Sequence, residues 1–179
     1  TQANIILGHM GISRDNPDYY AVSVMNYILG GGGFESRLMQ NIREEKGLAY
    51  DIHSFFDANK YGGLFEVGLQ TKNESANTAI GEILKEIKKV RNFPVSDAEL
   101  SGAKLFLTGS FPMRLETSQR IANFLVAVEY YGLGMDYIDK YPSYINSVTK
   151  EDVLRVAKKY LDSENFTLVV VADQKNAEL

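Results

Sequence analysis

Apolar positions recur along this chain with two periods, and the switches between them mark its elements. Ala3, Ile5 and Leu7 alternate over residues 2–8, the two-residue period of a half-buried strand. Asn16 and Pro17 then open a helix, the first as cap and the second at the first helical position. Ala21, Val24, Met25, Ile28 and Leu29 follow three and four apart, one apolar stripe that Gly30 can end. Residues 35–46 read as a second, shorter helix stopped by Gly47. Residues 49–57 and 63–71 read as strands, joined by the hairpin Asn59-Lys60-Tyr61-Gly62. Residues 75–91 form an amphipathic helix with Ile80, Ile83, Leu84, Ile87 and Val90 inward. Glu82, Lys85, Glu86, Lys88 and Lys89 make its expected wet side.

Pro94 breaks that helix, and Ser96 with Glu99 predicts a capping box for the next, which carries Leu100, Leu105 and Phe106 up to Pro112. Residues 117–131 are a further apolar helix with Ile121, Phe124, Leu125 and Val128. Residues 135–148 read as short helical pieces broken at Pro142. Thr149 caps a helix through Val153, Val156, Ala157 and Tyr160. Residues 166–172 read as a buried strand, and the polar tail 173–179 as frayed. Strands and helices are largely segregated, and the hairpin makes part of the sheet antiparallel. The pattern is α+β, a layered, mostly antiparallel sheet backed by helices. No linker divides residues 1–179, so one domain is expected, with Pro94 as the best internal seam.

Composition narrows the functions. A formal charge of −4 and the lack of a basic, aromatic-rich stripe argue against a nucleic-acid partner. Without cysteine there is neither disulfide nor thiolate metal site. No apolar run reaches membrane-spanning length. Thr1 in place of Met gives the expectation of a piece processed from something longer. The compartment stays open, with cytoplasm favoured over periplasm or an organelle.

The candidate chemistry is sparse. Gly30, Gly31, Gly32 and Gly33 stand consecutively between two helices, a costly run unless backbone must approach something closely. No Gly-Lys-Ser/Thr ends the run, and a helix rather than a strand precedes it, so neither nucleotide motif fits. His9 and His53 belong to no H-E-x-x-H or H-x-x-E-H pattern; Asp51 shares the strand face of His53, but two ligands do not make a catalytic zinc site. No metal is expected on this chain. No Gly-x-Ser-x-Gly occurs. Glu44 and Glu45 are adjacent on a helix and face apart. Arg43 and Tyr50 admit two readings. Singly, they are a helix-end arginine on carbonyls and a strand tyrosine half in the core. Together, across Gly47, a guanidinium and a phenol hold a substrate carbonyl and stabilise its charge as it becomes tetrahedral.

The block Ser36-Arg37-Leu38, then Arg43-Glu44-Glu45-Lys46-Gly47-Leu48-Ala49-Tyr50, following Gly31, Gly32 and Gly33, resembles the non-catalytic C-terminal domain of pitrilysin/insulinase-type zinc peptidases. The opening strand from Thr1, Gln2 and Ala3 to Leu7-Gly8-His9, Glu116-Thr117-Ser118 and Tyr131-Gly132 extend the resemblance over essentially the whole chain. It implies half of a metallopeptidase clamshell that closes over an extended peptide. The zinc and its ligands would lie in a catalytic partner domain or subunit of the same family. Arg43 and Tyr50 would bind substrate near that zinc, with Gly31, Gly32 and Gly33 as a substrate-contacting loop. That loop is shorter here than in the non-catalytic mitochondrial processing subunit. The chain alone is then inactive. Rival readings are a structural scaffold subunit related to these peptidases and a free-standing peptide-binding module.

Overall fold

The computed structural model describes residues 2–177. Alternation in β1 (Gln2–Met10) turns Ala3, Ile5 and Leu7 inward, where all three are buried. β2 (Asp51–Asn59) and β3 (Gly62–Lys72) form the expected hairpin, with Asn59 opposite Gly62 and Phe65, Val67 and Leu69 facing the core. β4 (Thr167–Val171) closes a four-stranded antiparallel sheet in the order β2-β3-β1-β4, pairing Ile6 with Val169. β4 is not the buried strand expected: Leu168, Val169 and Val171 are exposed. It pairs with β1 alone, so one edge and one face lack neighbours among the described residues. On that open face Val169 and Val171 continue the row begun by Ile6 and Met10, which are also exposed.

The helices α1 (Tyr19–Asn26), α2 (Ala76–Asn92), α3 (Asp97–Gly109), α4 (Ser118–Tyr130), α5 (Tyr137–Asn146) and α6 (Lys150–Tyr160) follow the predicted order. α1 begins later than Asn16-Pro17 suggests. The Asn16 carboxamide accepts from the Asp18 N–H at 2.9 Å, a local turn that competes with capping. Ala21, Val24, Met25, Ile28 and Leu29 are all buried, as their spacing predicts. Gly30 does not end the helix. The chain widens to π winding over Tyr27–Gly31, and Gly30 lies on β2, where a Cβ would meet the Ser54 hydroxyl at 2.5 Å and its backbone N at 2.7 Å. Asn26 fixes the same approach, donating to the Ser54 carbonyl at 3.1 Å and accepting from its hydroxyl at 2.8 Å.

The predicted capping box of Ser96 with Glu99 forms, and Thr149, expected only as a cap, also makes a box, with Asp152. Thr117 caps α4. Pro142 does not break α5; it sits in the second turn, giving up only the bond its N–H would have made. Pro94 is exposed between α2 and α3, and buried side chains from both sides of it share one core. Where a frayed tail is expected, α7 (Gln174–Ala177) forms a short helix; Thr1, Glu178 and Leu179 lie outside the described residues.

Two long-range polar ties hold the helical layer together. Asp18 is buried and accepts from Arg155 at 2.7 Å, Lys159 at 3.0 Å and Tyr160 at 2.7 Å, joining α1 to α6. Burial works to raise its pKa; the Tyr160, Arg155 and Lys159 bonds outweigh that and hold it at about 2. Arg14, also buried, lays its guanidinium 3.8 Å over the Tyr19 ring and donates to the Tyr137 hydroxyl at 3.0 Å.

Candidate functional site

The site is built on the turn between the Met39–Glu45 helix, again π-wound, and β2. Gly47 adopts φ +63°, the left-handed conformation of a helix C-cap. Its N–H donates to Arg43 O at 3.0 Å, and the Leu48 N–H to Ile42 O at 2.9 Å. The chain then joins the sheet. The Thr71 hydroxyl donates to the Leu48 carbonyl, and the Tyr50 N–H to Gln70 O at 3.0 Å.

Arg43 and Tyr50 therefore hang from the two ends of one well-bonded turn. Tyr50 is 56% exposed, away from the half-buried position its strand location suggests. Arg43 is partly exposed; its guanidinium lies 4.9 Å from the Phe34 ring centroid, its Nη1 3.9 Å from the Met39 sulfur, and its Nε 3.7 Å from Glu44. No hydrogen bond joins Arg43 to Tyr50 among the described residues. What the structure brings together is Arg43 and the glycine run, through Phe34, the residue straight after Gly33.

That run is wound, not slack. Gly31 ends the π segment, Gly32 packs against Tyr27, and Gly33 turns at φ +57° with open space where a Cβ would be. The Gly33 carbonyl accepts from the Ser36 N–H at 3.0 Å and the Ser36 hydroxyl at 2.7 Å. Gly31 and Gly33 are exposed, so backbone is presented at the surface in a defined shape.

The histidines are engaged elsewhere. His9 Nε2 accepts from the Asp162 N–H at 3.1 Å while Nδ1 donates to Met10 O at 2.9 Å, and the ring packs on Phe65. His53 Nδ1 lies 3.2 Å from Asp51 Oδ2, both exposed on the open sheet face, so that strand pair does form. Among the described residues no three His, Cys, Asp or Glu side chains gather into a metal-holding group.

Sequence reasoning missed the support beneath the turn. Glu82 and Glu86, expected to be wet, are both buried. Glu82 takes the Lys46 ammonium on one oxygen and Lys85 on the other at 2.6 Å. Glu86 accepts from Asn41 and Lys89, each at 2.6 Å. The hydrogen bonds from Lys46 and Lys85 hold the Glu82 carboxyl at about 2. The Glu-Lys spacing along α2 is ordinary for a solvated face, and only the packing of the preceding helix turns it inward. On the far side of the glycine run, Arg37 grips Glu99 with two bonds of 2.6 and 3.0 Å.

The chain belongs to the peptidase M16 inactive domain family, whose profile matches residues 1–107. An uncharacterised zinc protease of Streptomyces coelicolor is 32% identical over 160 residues, 89% of this chain and 35% of that protein. A non-peptidase homologue of Helicobacter pylori is 30% identical over 152 residues, 85% of this chain and 35% of that protein. The crystal structure of the peptidase M16 inactive domain from Pseudomonas fluorescens superposes with a TM-score of 0.86 at 32% identity, covering 97% of this chain and 42% of that one. The chain thus spans well under half the length of these relatives. It is an inactive peptidase-like domain of the zinc protease family.

Proposed function

We propose that this domain encloses and positions an extended peptide as one half of a clamshell, completing an active site whose zinc lies in a partner domain or subunit. The observation that carries the reading is the placement of Arg43 and Tyr50, both reachable from solvent, at the two ends of a turn fixed by Gly47. Among the described residues no set fits a zinc site: both nitrogens of His9 are spent on backbone groups, and His53 has only Asp51 beside it as a second ligand type. In this reading the guanidinium and the phenolic hydroxyl donate to the substrate carbonyl, and their bonds strengthen as charge develops on that oxygen. The backbone of the Gly31, Gly32 and Gly33 run, exposed at Gly31 and Gly33, meets the peptide chain beside Phe34.

The test is cleavage of an internally quenched peptide by the full-length protein with its zinc-bearing partner. Arg43→Ala and Tyr50→Phe are each expected to lower turnover by about 100-fold, the usual scale for losing one such donor. Both side chains are accessible, so melting temperatures should stay put. Undiminished cleavage in both variants overturns the reading. A second reading, a scaffold that neither cuts nor binds peptide, draws on the relative named a non-peptidase homologue. Peptide binding without cleavage by the assembled protein would mark a binding module instead.

A further inference from the structure

Three features under the Arg43–Tyr50 turn go beyond local capping. Lys46, immediately before Gly47, reaches across to α2 and places its ammonium on buried Glu82. Asn41, in the helix before it, donates its side-chain amide to buried Glu86, one turn further along α2. Both carboxylates are shielded by exposed lysines, Lys85 and Lys89.

Stability alone gives a poor account of this arrangement. Two carboxylates four residues apart on a helix repel each other. The Glu82 carboxylate is buried while the Lys46 side chain stays partly exposed, and an apolar contact of similar volume often does as well as a pair that must desolvate a carboxylate. What such a pair supplies and an apolar contact does not is registry, since an ammonium must meet its carboxylate at one place. The turn is fixed to β3 by Thr71 and Gln70, on its Tyr50 side. On its Arg43 side two ties reach α2, Asn41 to Glu86 before Arg43 and Lys46 to Glu82 after it, and Lys46 is the one next to the turn.

We propose that Lys46, clamped by Glu82, is a positioning residue that fixes the relative placement of Arg43 and Tyr50. The catalytic consequence rests on the function proposed above; the mechanical one does not. Without the clamp the Arg43 end of the turn moves while the Tyr50 end stays on the sheet. The two donors then no longer converge on one carbonyl.

Lys46→Met is the variant of choice, because Glu82 keeps Lys85 as partner and the fold survives. In the full-length protein with its zinc-bearing partner, quenched-peptide turnover should fall by at least about tenfold, in kcat more than KM, because small misplacements of reacting groups are expensive. Lys46→Arg should restore most of the loss. Arg43→Ala/Lys46→Met should be no slower than Arg43→Ala alone, since Lys46 acts through the placement of Arg43. A double variant slower by the product of the two single effects overturns the proposal, as does unchanged turnover in Lys46→Met. The clamp is also read without catalysis, by hydrogen exchange. The Gly47 and Leu48 amides should exchange about tenfold faster in Lys46→Met while β3 amides do not change. Unchanged exchange at those two amides defeats the clamp. Faster exchange, with Arg43→Ala fully active, leaves the clamp standing and removes the substrate role instead.

Discussion

Gly30 and Gly81 show how much a single missing Cβ depends on its surroundings. At Gly30 an added methyl would meet Ser54 and Leu38 at 2.5–2.7 Å, in a helix already pressed on β2. Gly30→Ala is expected to cost about 1–3 kcal/mol, the range for overpacking, measured by denaturant titration. Gly81, on α2, has nothing within 4 Å of where a Cβ would sit. There alanine is expected to add about 0.4–1 kcal/mol by restricting the unfolded chain. Similar losses at both positions would contradict the close helix–strand approach. Four glycines in a row read as one feature in the sequence, yet they do different work. Gly30 permits packing, and Gly33 permits a left-handed turn. Nothing in the letters separates them, because the separating contact, Ser54, lies on another element.

Elements defined by neighbours in sequence were legible; those defined by neighbours in space were not. The capping boxes of α3 and α6, the hairpin and the left-handed cap at Gly47 all form where residue order places them. Each depends on groups a few positions apart. The burial of Glu82 and Glu86, the exposure of β4 and the π winding before Gly31 follow from which element packs on which. Arg43 and Tyr50 could be named as candidates from the sequence, but the Lys46–Glu82 contact beneath them could not. The same long-range ties set the acid response. Asp18 and Glu82 titrate at about 2 in the folded chain, below their ordinary 3.8 and 4.5. Their contribution is complete above those ordinary values and is lost as pH falls toward 2. Unfolding followed by circular dichroism should thus show stability declining from about pH 4.5 downward. Asp18→Asn should flatten that decline and lower stability at neutral pH by about 1–3 kcal/mol, the scale of a charged hydrogen-bond network. An unaltered slope would show that Asp18 does not link α1 to α6.

At the largest scale, among the described residues the helices cover one face of the sheet and leave the other open, with Ile6, Met10, Val169 and Val171 forming an exposed apolar patch on it. Prepared alone, the chain should bind an apolar dye at this face. Val169→Lys should weaken that fluorescence and change folding stability by less than about 0.5 kcal/mol, as expected for an exposed site. The Arg14 cluster has an optical consequence. The sequence contains 11 tyrosines and no tryptophan, so its near-ultraviolet bands are dominated by phenols. Tyr19, Tyr20, Tyr137, Tyr141 and Tyr144 pack ring on ring at the junction of α1 with α5, with the Arg14 cation over Tyr19, Tyr20 and Tyr137. In the chain prepared alone, this joint should supply a large part of the tyrosine dichroism. That signal would fade when α5 lifts from α1 even while the helices themselves persist.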